Sequence, residues 1–307
     1  MKTYTRSRIA AKAIQLLTLA AVTSASVAAA TPPPLKVGVT LHPYYSWTKN
    51  VTVGAPIDVR SILPADIDAG DYQPRPEDVA KLRDLDAIVI NGVGHDDFIT
   101  KMIEASGNTK LTIIRPNDGA PMMRGAHGES VNSHTFISFT NAIQQTYAIA
   151  KSLSALRPDL SEKLQKNAAD YARRLRAIKA KAATQLADAP ISRVAAVHDG
   201  YAYLMQEFGL EVAAVVQPSH GLLPSAQELK DLVATLKREK VTVVFAEDAF
   251  PEPMRNVLRF EAGAQIYQIT HIASGEYTAE KFEREMLSNV ERMAEALTKT
   301  SPTPARK

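Results

Sequence analysis

The sequence has no cysteine, a single tryptophan, and aromatic residues at only 6% of its length. The missing cysteine excludes a disulfide framework, a thiolate metal centre and a lipid-modified amino-terminal cysteine. Any metal held by this chain must therefore be held by nitrogen and oxygen. Scarce aromatic side chains, with Trp47 the sole indole, argue against the wide ring-lined pocket that an intact siderophore or haem would need. Two hydrolase signatures are also absent: there is no His-Glu-x-x-His and no His-x-His-x-Asp run. Strong charge of one sign is lacking too. The formal net charge is +3, and removing the four basic residues of the first thirty (Lys2, Arg6, Arg8, Lys12) leaves −1. That balance gives no reason to expect nucleic acid or an anionic membrane surface as partner.

What is present is an ordinary globular composition, 45% hydrophobic and 22% charged over 307 residues, long enough for two domains. The basic residues near the amino terminus precede a weakly apolar run that ends SASVAAA before Thr31. This is the pattern of a secretory leader cleaved after Ala30, so a periplasmic protein without stable membrane insertion is expected. An exported chain without disulfides must draw its stability from its core.

The informative stretch is Ala189–Gly200, APISRVAAVHDG. Val194 to Val197 read as a strand buried on both faces, and His198 and Asp199 follow at its carboxyl end. In open α/β sheets, ligands bind outside the carboxyl ends of the strands. The placement recurs. His42 follows Leu35–Leu41, His95 follows Ala87–Asn91, His220 follows Glu211–Val216, and His271 follows Gln265–Thr270. Five of the seven histidines thus stand just past a predicted strand end, and they are read here as ligands of one metal ion.

Taken in order, predicted strands 35–41, 56–63, 87–91 and 111–115 alternate with helices 43–53, 76–84 and 97–105. A loop, 116–133, carries His127. Two helices follow, 138–156 and 159–187, the second with apolar residues at three- and four-residue steps from Leu160 to Ile178. A second βα series then has strands 193–197, 211–216, 241–246 and 265–270, and helices 201–208, 225–238, 253–262 and 279–298. Strands alternating with helices imply parallel sheets. The expected fold class is α/β, with two lobes, each a parallel sheet with flanking helices, joined by one long linker helix. The division is signal peptide 1–30, amino-terminal lobe 31–137, linker helices 138–189, carboxy-terminal lobe 190–300 and a disordered tail 301–307.

Several segments carry a family resemblance: Asp71–Gly94, Asn132–Ala142, Val197–Leu210 (VHDGYAYLMQEFGL), Leu223–Leu232 and Val243–Glu247. Together they resemble the metal-binding solute receptors of ABC importers, the zinc, manganese and iron group (cluster A-I). Within it, the likeness is to the FpvC-like branch of pyoverdine iron-uptake systems. The resemblance implies two lobes with the metal between them and delivery to a membrane permease. The narrower likeness adds a siderophore-handling periplasmic partner. The family resemblance itself carries two ligands over directly, His134 and His198. At the first family ligand position this chain has Gly70, and where the family usually has a carboxylate it has Thr270-His271. The resemblance therefore implies a site rebuilt from histidine.

The expected metal ligands are His42, His95, His134, His198, His220 and His271. His127 ranks last. Asp68 and Asp71, flanking Gly70, are placed to supply a carboxylate oxygen but read first as solvated loop acids, and Asp96 or Asp97 as a cap for the next helix. Asp199 and Glu247 read as carboxylates that orient ligating imidazoles. Several imidazoles permit octahedral coordination, which suits ferrous iron; zinc, manganese, nickel and cobalt are the alternatives. The competing class is a zinc-dependent hydrolase, supported by His95-Asp96-Asp97 and His198-Asp199. A shell crowded with histidine leaves no position for the water that such chemistry needs.

Overall fold

The computed structural model describes residues 32–125, 131–217 and 222–298. The leader, His127, His220 and the tail 301–307 lie outside the described residues.

From Pro34 onward the described residues form one compact unit built on two four-stranded parallel sheets. The first has β1 (Leu35–Val39), β2 (Ile57–Ser61), β3 (Ala87–Val89) and β4 (Thr112–Ile114) in the order β2-β1-β3-β4. The second has β5 (Arg193–Ala196), β6 (Glu211–Val215), β7 (Val243–Ala246) and β8 (Gln265–Gln268) in the order β6-β5-β7-β8. All eight predicted strands are present, each within the range read from the sequence. The two orders are the same. In each, the chain runs to one side of its first strand and then returns to the other. This puts a topological switch point between β1 and β3 and another between β5 and β7, which is where an open α/β sheet opens a crevice.

The helices of the first half are α1 (His42–Val51), α2 (Pro76–Ala80) and α3 (Phe98–Ser106). Between the halves run α4 (Phe139–Leu156) and α5 (Ser161–Leu186), separated by a 3-10 turn at Pro158–Leu160. Ser138 caps α4, its hydroxyl accepting from the Asn141 amide at 3.1 Å. α5 has 26 residues and, at about 1.5 Å per residue, spans roughly 39 Å. Its buried face is Leu164, Ala168, Tyr171, Ala172, Leu175, Ala182 and Leu186, the three-and-four spacing of an amphipathic helix. α4 packs along it, and so do α1 and the last helix. The second half adds α6 (Ala202–Glu207), α7 (Ala226–Arg238), α8 (Glu252–Phe260) and α9 (Lys281–Thr298). No described helix is long and apolar enough to cross a membrane.

Strand alternation divides the second sheet's two faces. Val194 and Ala196 of β5, with Val243 and Phe245 of β7, join the large core that also takes in the first sheet, α4, α5 and α9. Ala195, Val244 and Ala246 face a smaller core with Leu232 and Leu236 of α7 and Leu258 of α8. The one tryptophan is core, not pocket. Trp47 of α1 is fully buried, edge-on to Tyr44 at 5.1 Å and to Phe282 of α9 at 5.1 Å. So α9, the end of the second half, is packed into the first.

Candidate metal centre

Four histidines predicted from strand ends or from the family resemblance come together between the two switch points. Ring centroids lie 4.8 Å apart for His95 and His134, 4.5 Å for His134 and His198, and 5.6 Å for His198 and His271. His95 follows β3, His134 follows β4, His198 follows β5 and His271 follows β8. All four are buried. Two carboxylates close the cluster. His271 Nε2–H donates to Asp68 at 2.5 Å, and its Nδ1 lies 2.9 Å from Glu247 Oε1. His95 Nε2 is 3.2 Å from the other Asp68 oxygen, and His198 Nδ1 is 3.9 Å from Glu247. Asp68 comes from the first half and Glu247 from the second.

Each imidazole is set by its neighbours. Asn132 Oδ1 accepts from the His134 amide at 2.9 Å and from its Nδ1 at 3.0 Å, which places the His134 ring hydrogen on Nδ1. The Asn132 amide nitrogen reaches Asp199 Oδ2 at 2.9 Å, across to the second half. His198 Nδ1 accepts from the Gly200 amide at 3.2 Å. A Cβ on Gly200 would stand 2.6 Å from His198 Nδ1 and 3.1 Å from His134 Cδ2, so only glycine lets both rings lie this close. His271 is held from behind. Asn289 of α9 accepts from the Thr270 amide at 2.9 Å and donates to the Thr270 carbonyl at 2.7 Å. Ile272, next after His271, has φ 63°, a strained backbone for a β-branched residue.

Electrostatics follow from these contacts. Burial alone would push the His271 imidazolium down. Hydrogen bonds and charge from Asp68 and Glu247 outweigh it and raise the ring to about 10. At neutral pH His271 is therefore a cation between two carboxylates. Burial raises Glu247, but its bonds and charge interaction with His271, together with His198 and Tyr201, bring it below its usual value. Burial and Glu247 push the Tyr201 hydroxyl well up, and it donates to Glu247 at 3.0 Å.

Among the described residues, no three His, Asp or Glu side chains have the geometry, as they stand, to hold a metal ion. In this arrangement the two His271 nitrogens lie against oxygens of Asp68 and Glu247. A cavity of about 520 Å³ leads to this point and is lined by Asp66, Asp68, Asp71, His198, Glu247 and His271.

Three of the expectations change. His42 does not join the cluster. Its Nε2–H donates to the Ala65 carbonyl at 3.1 Å and the Gly275 carbonyl at 2.8 Å, and its ring stacks on Tyr277 at 3.9 Å. A strand end aims the backbone at the crevice, but as the first residue of α1 His42 turns its ring to the side. Asp68 is not a solvated loop acid; it is the carboxylate shared by His95 and His271. The only sequence signal for it was its place two residues before Gly70. Asp96 does not cap α3. It accepts from Thr40, from the Asn91 amide and from the Gly92 amide, and so shapes the loop that presents His95. Asp97 is the N-cap residue but accepts no capping bond. Asn132, which sequence reading did not single out, orients His134.

Residues 37–296 match the family model described as "ZnuA: Zinc-uptake complex component A periplasmic". The chain belongs to that family. The family consists of substrate-binding receptors for transport and not of enzymes, so the hydrolase alternative is set aside. A "Zinc-binding lipoprotein AdcA" of Streptococcus pneumoniae is 27% identical over 280 residues, covering 87% of this chain and 56% of the relative. The chain thus spans about half the length of the AdcA relatives it matches. The "High-affinity zinc uptake system protein ZnuA" of Bacillus subtilis is 25% identical over 244 residues, 75% of this chain and 76% of the relative. Among solved structures, FpvC from Pseudomonas aeruginosa in complex with Mn²⁺ superposes with a TM-score of 0.81 at 40% identity, covering 86% of this chain and 98% of FpvC. FpvC has also been solved with Ni²⁺. The narrower likeness to FpvC is thereby met.

Proposed function

We propose that this protein is the periplasmic receptor of an ABC metal importer, which takes up one divalent transition-metal ion and passes it to a membrane permease. The ligands are His95, His134, His198 and His271, with oxygen from Asp68 or Glu247. The observation that carries this reading is the His271 ring held between the Asp68 and Glu247 carboxylates of opposite halves, beside three further buried histidines. Two acids converge on a buried point that demands positive charge, and a metal ion supplies more of it than a proton does. Four acids lining the approach, Asp66, Asp68, Asp71 and Glu247, attract a cation toward that point. A leader spanning 1–30 fits delivery to the periplasm, and lobe boundaries near 137 and 190 fit the helical connection between the sheets.

Ferrous iron is the cargo favoured here, supplied in reduced form by a siderophore-handling partner. A mixed imidazole and carboxylate set suits six-coordinate iron, manganese, nickel or cobalt at least as well as four-coordinate zinc. Affinity alone favours nickel, copper and zinc over iron, so supply must decide. The mixed donor set restores the case for manganese that a purely histidine site would have weakened. The deciding experiment is metal analysis of protein isolated anaerobically from its own periplasm. About one ferrous ion per chain is the expected result. Zinc or manganese in its place would make it a zinc or manganese receptor, and protein that takes no divalent metal would refute the reading.

A further inference from the structure

His42 has a role of its own. Its Nε2 faces two carbonyl oxygens, Ala65 at 3.1 Å and Gly275 at 2.8 Å. A carbonyl cannot donate, so in this arrangement the nitrogen carries the hydrogen and turns no lone pair toward a metal. The two acceptors belong to different loops. Ala65 lies three residues before Asp68, and Gly275 lies four residues after His271. The same loops are joined directly by the Gly275 amide, which donates to the Ala65 carbonyl at 2.8 Å. The Ala65 oxygen thus takes one hydrogen from His42 and one from Gly275. The His42 ring is 2% exposed and lies flat on Tyr277, with an angle of 2° between the planes. Burial lowers the ring to about 4, so at neutral pH it is uncharged.

We propose that His42 is a positioning residue for the metal centre, joining the Asp68 loop to the His271 loop and so fixing the distance between the two side chains. This rests on the receptor reading given above. The rest of α1 supports it. Ser46 donates to the Thr278 carbonyl at 2.8 Å and Asn50 to the Ala279 carbonyl at 2.8 Å, so the helix grips the returning segment along its length. His42 is the end of that grip nearest the cluster. On the far side, Asn289 and the left-handed Ile272 hold Thr270 to Ile272. His271 is therefore fixed before and behind, and the His42 imidazole, beside the Gly275–Ala65 bond, ties the Asp68 loop to it.

The test compares wild type with His42→Phe, which keeps a flat ring on Tyr277 but has no donor, and His42→Gln, whose amide places a donor near the Nε2 position. The probe is Co²⁺, read by its visible absorption. His42→Phe is expected to bind Co²⁺ about 10- to 100-fold more weakly with an unchanged band shape, and His42→Gln to recover most of the loss. Hydrogen exchange of the Gly275 amide in metal-free protein is expected to quicken in His42→Phe and return in His42→Gln. Wild-type affinity in a folded His42→Phe would overturn the proposal. So would an altered band shape, which would make His42 a ligand, or unchanged Gly275 exchange. If His42→Phe does not fold, His42→Asn, too short to reach both carbonyls, takes its place. Wild type that takes no Co²⁺ would sink the receptor reading, and Gly275 exchange would still decide whether His42 joins the loops.

Discussion

Asp68 and His271 stand 203 positions apart in the chain, and the His271 Nε2–H reaches the Asp68 carboxylate at 2.5 Å. The contact ties the first half to the second at the point where the four histidines gather. Removing the charge at Asp68 leaves a buried imidazolium with one carboxylate in place of two. Asp68→Asn should therefore cost about 3 kcal/mol of metal-free stability at pH 7. The sign with pH follows from the raised His271 value. A ring lifted from 6.5 to about 10 contributes stability that is full below 6.5 and is lost as pH rises through 10. The difference between wild type and Asp68→Asn should accordingly shrink toward pH 10. Urea titrations across that range, showing a constant difference, would contradict a charged His271.

His42 makes the opposite statement. Its ring is depressed from 6.5 to about 4, so the folded protein resists protonating it where the unfolded chain does not. Its contribution is intact above pH 6.5 and is lost as pH falls through 4. The shift corresponds to about 3 kcal/mol at full extent. Metal-free wild type should lose stability between pH 6.5 and 4 more steeply than His42→Gln. Parallel melting curves across that interval would show that this ring is not held neutral.

Gly200 sits against both His198 and His134. Gly200→Ala puts a methyl group 2.6 Å from His198 Nδ1, so the ring must turn away and press on His134. Divalent metal affinity should fall about 10- to 100-fold, with the fold kept. Calorimetry with Zn²⁺, backed by circular dichroism, reads the loss directly. Undiminished binding would mean that the two rings do not have to lie together.

The fold was legible because its signals are local. Apolar runs such as Val194–Val197 and Ala87–Asn91 mark the strands, and the three-and-four spacing from Leu160 to Ile178 marks the long helix. His95, His198 and His271 could be placed because the carboxyl end of a parallel strand has a known relation to the crevice. What the sequence did not carry is the direction in which a side chain leaves its backbone. His42 has the same strand-end position as His198, yet the turn into α1 sends its ring to two carbonyls. Asp68 looked like any loop acid. Its role depends on His271, and no local pattern links positions so far apart. Asn132 was hidden for the same reason, since its meaning lies in Asp199 of the other half.

The most direct test of the account is the position of the metal itself. Crystals of the metal-loaded protein, measured at the absorption edge of the bound ion, give that position without reference to any assumed ligand. One strong anomalous peak is expected in the cluster, with imidazole nitrogens of His95, His134, His198 and His271 and a carboxylate oxygen of Asp68 or Glu247 at roughly 2.0–2.2 Å. A peak at His42 or at surface residues, or no peak within the cluster, would contradict it.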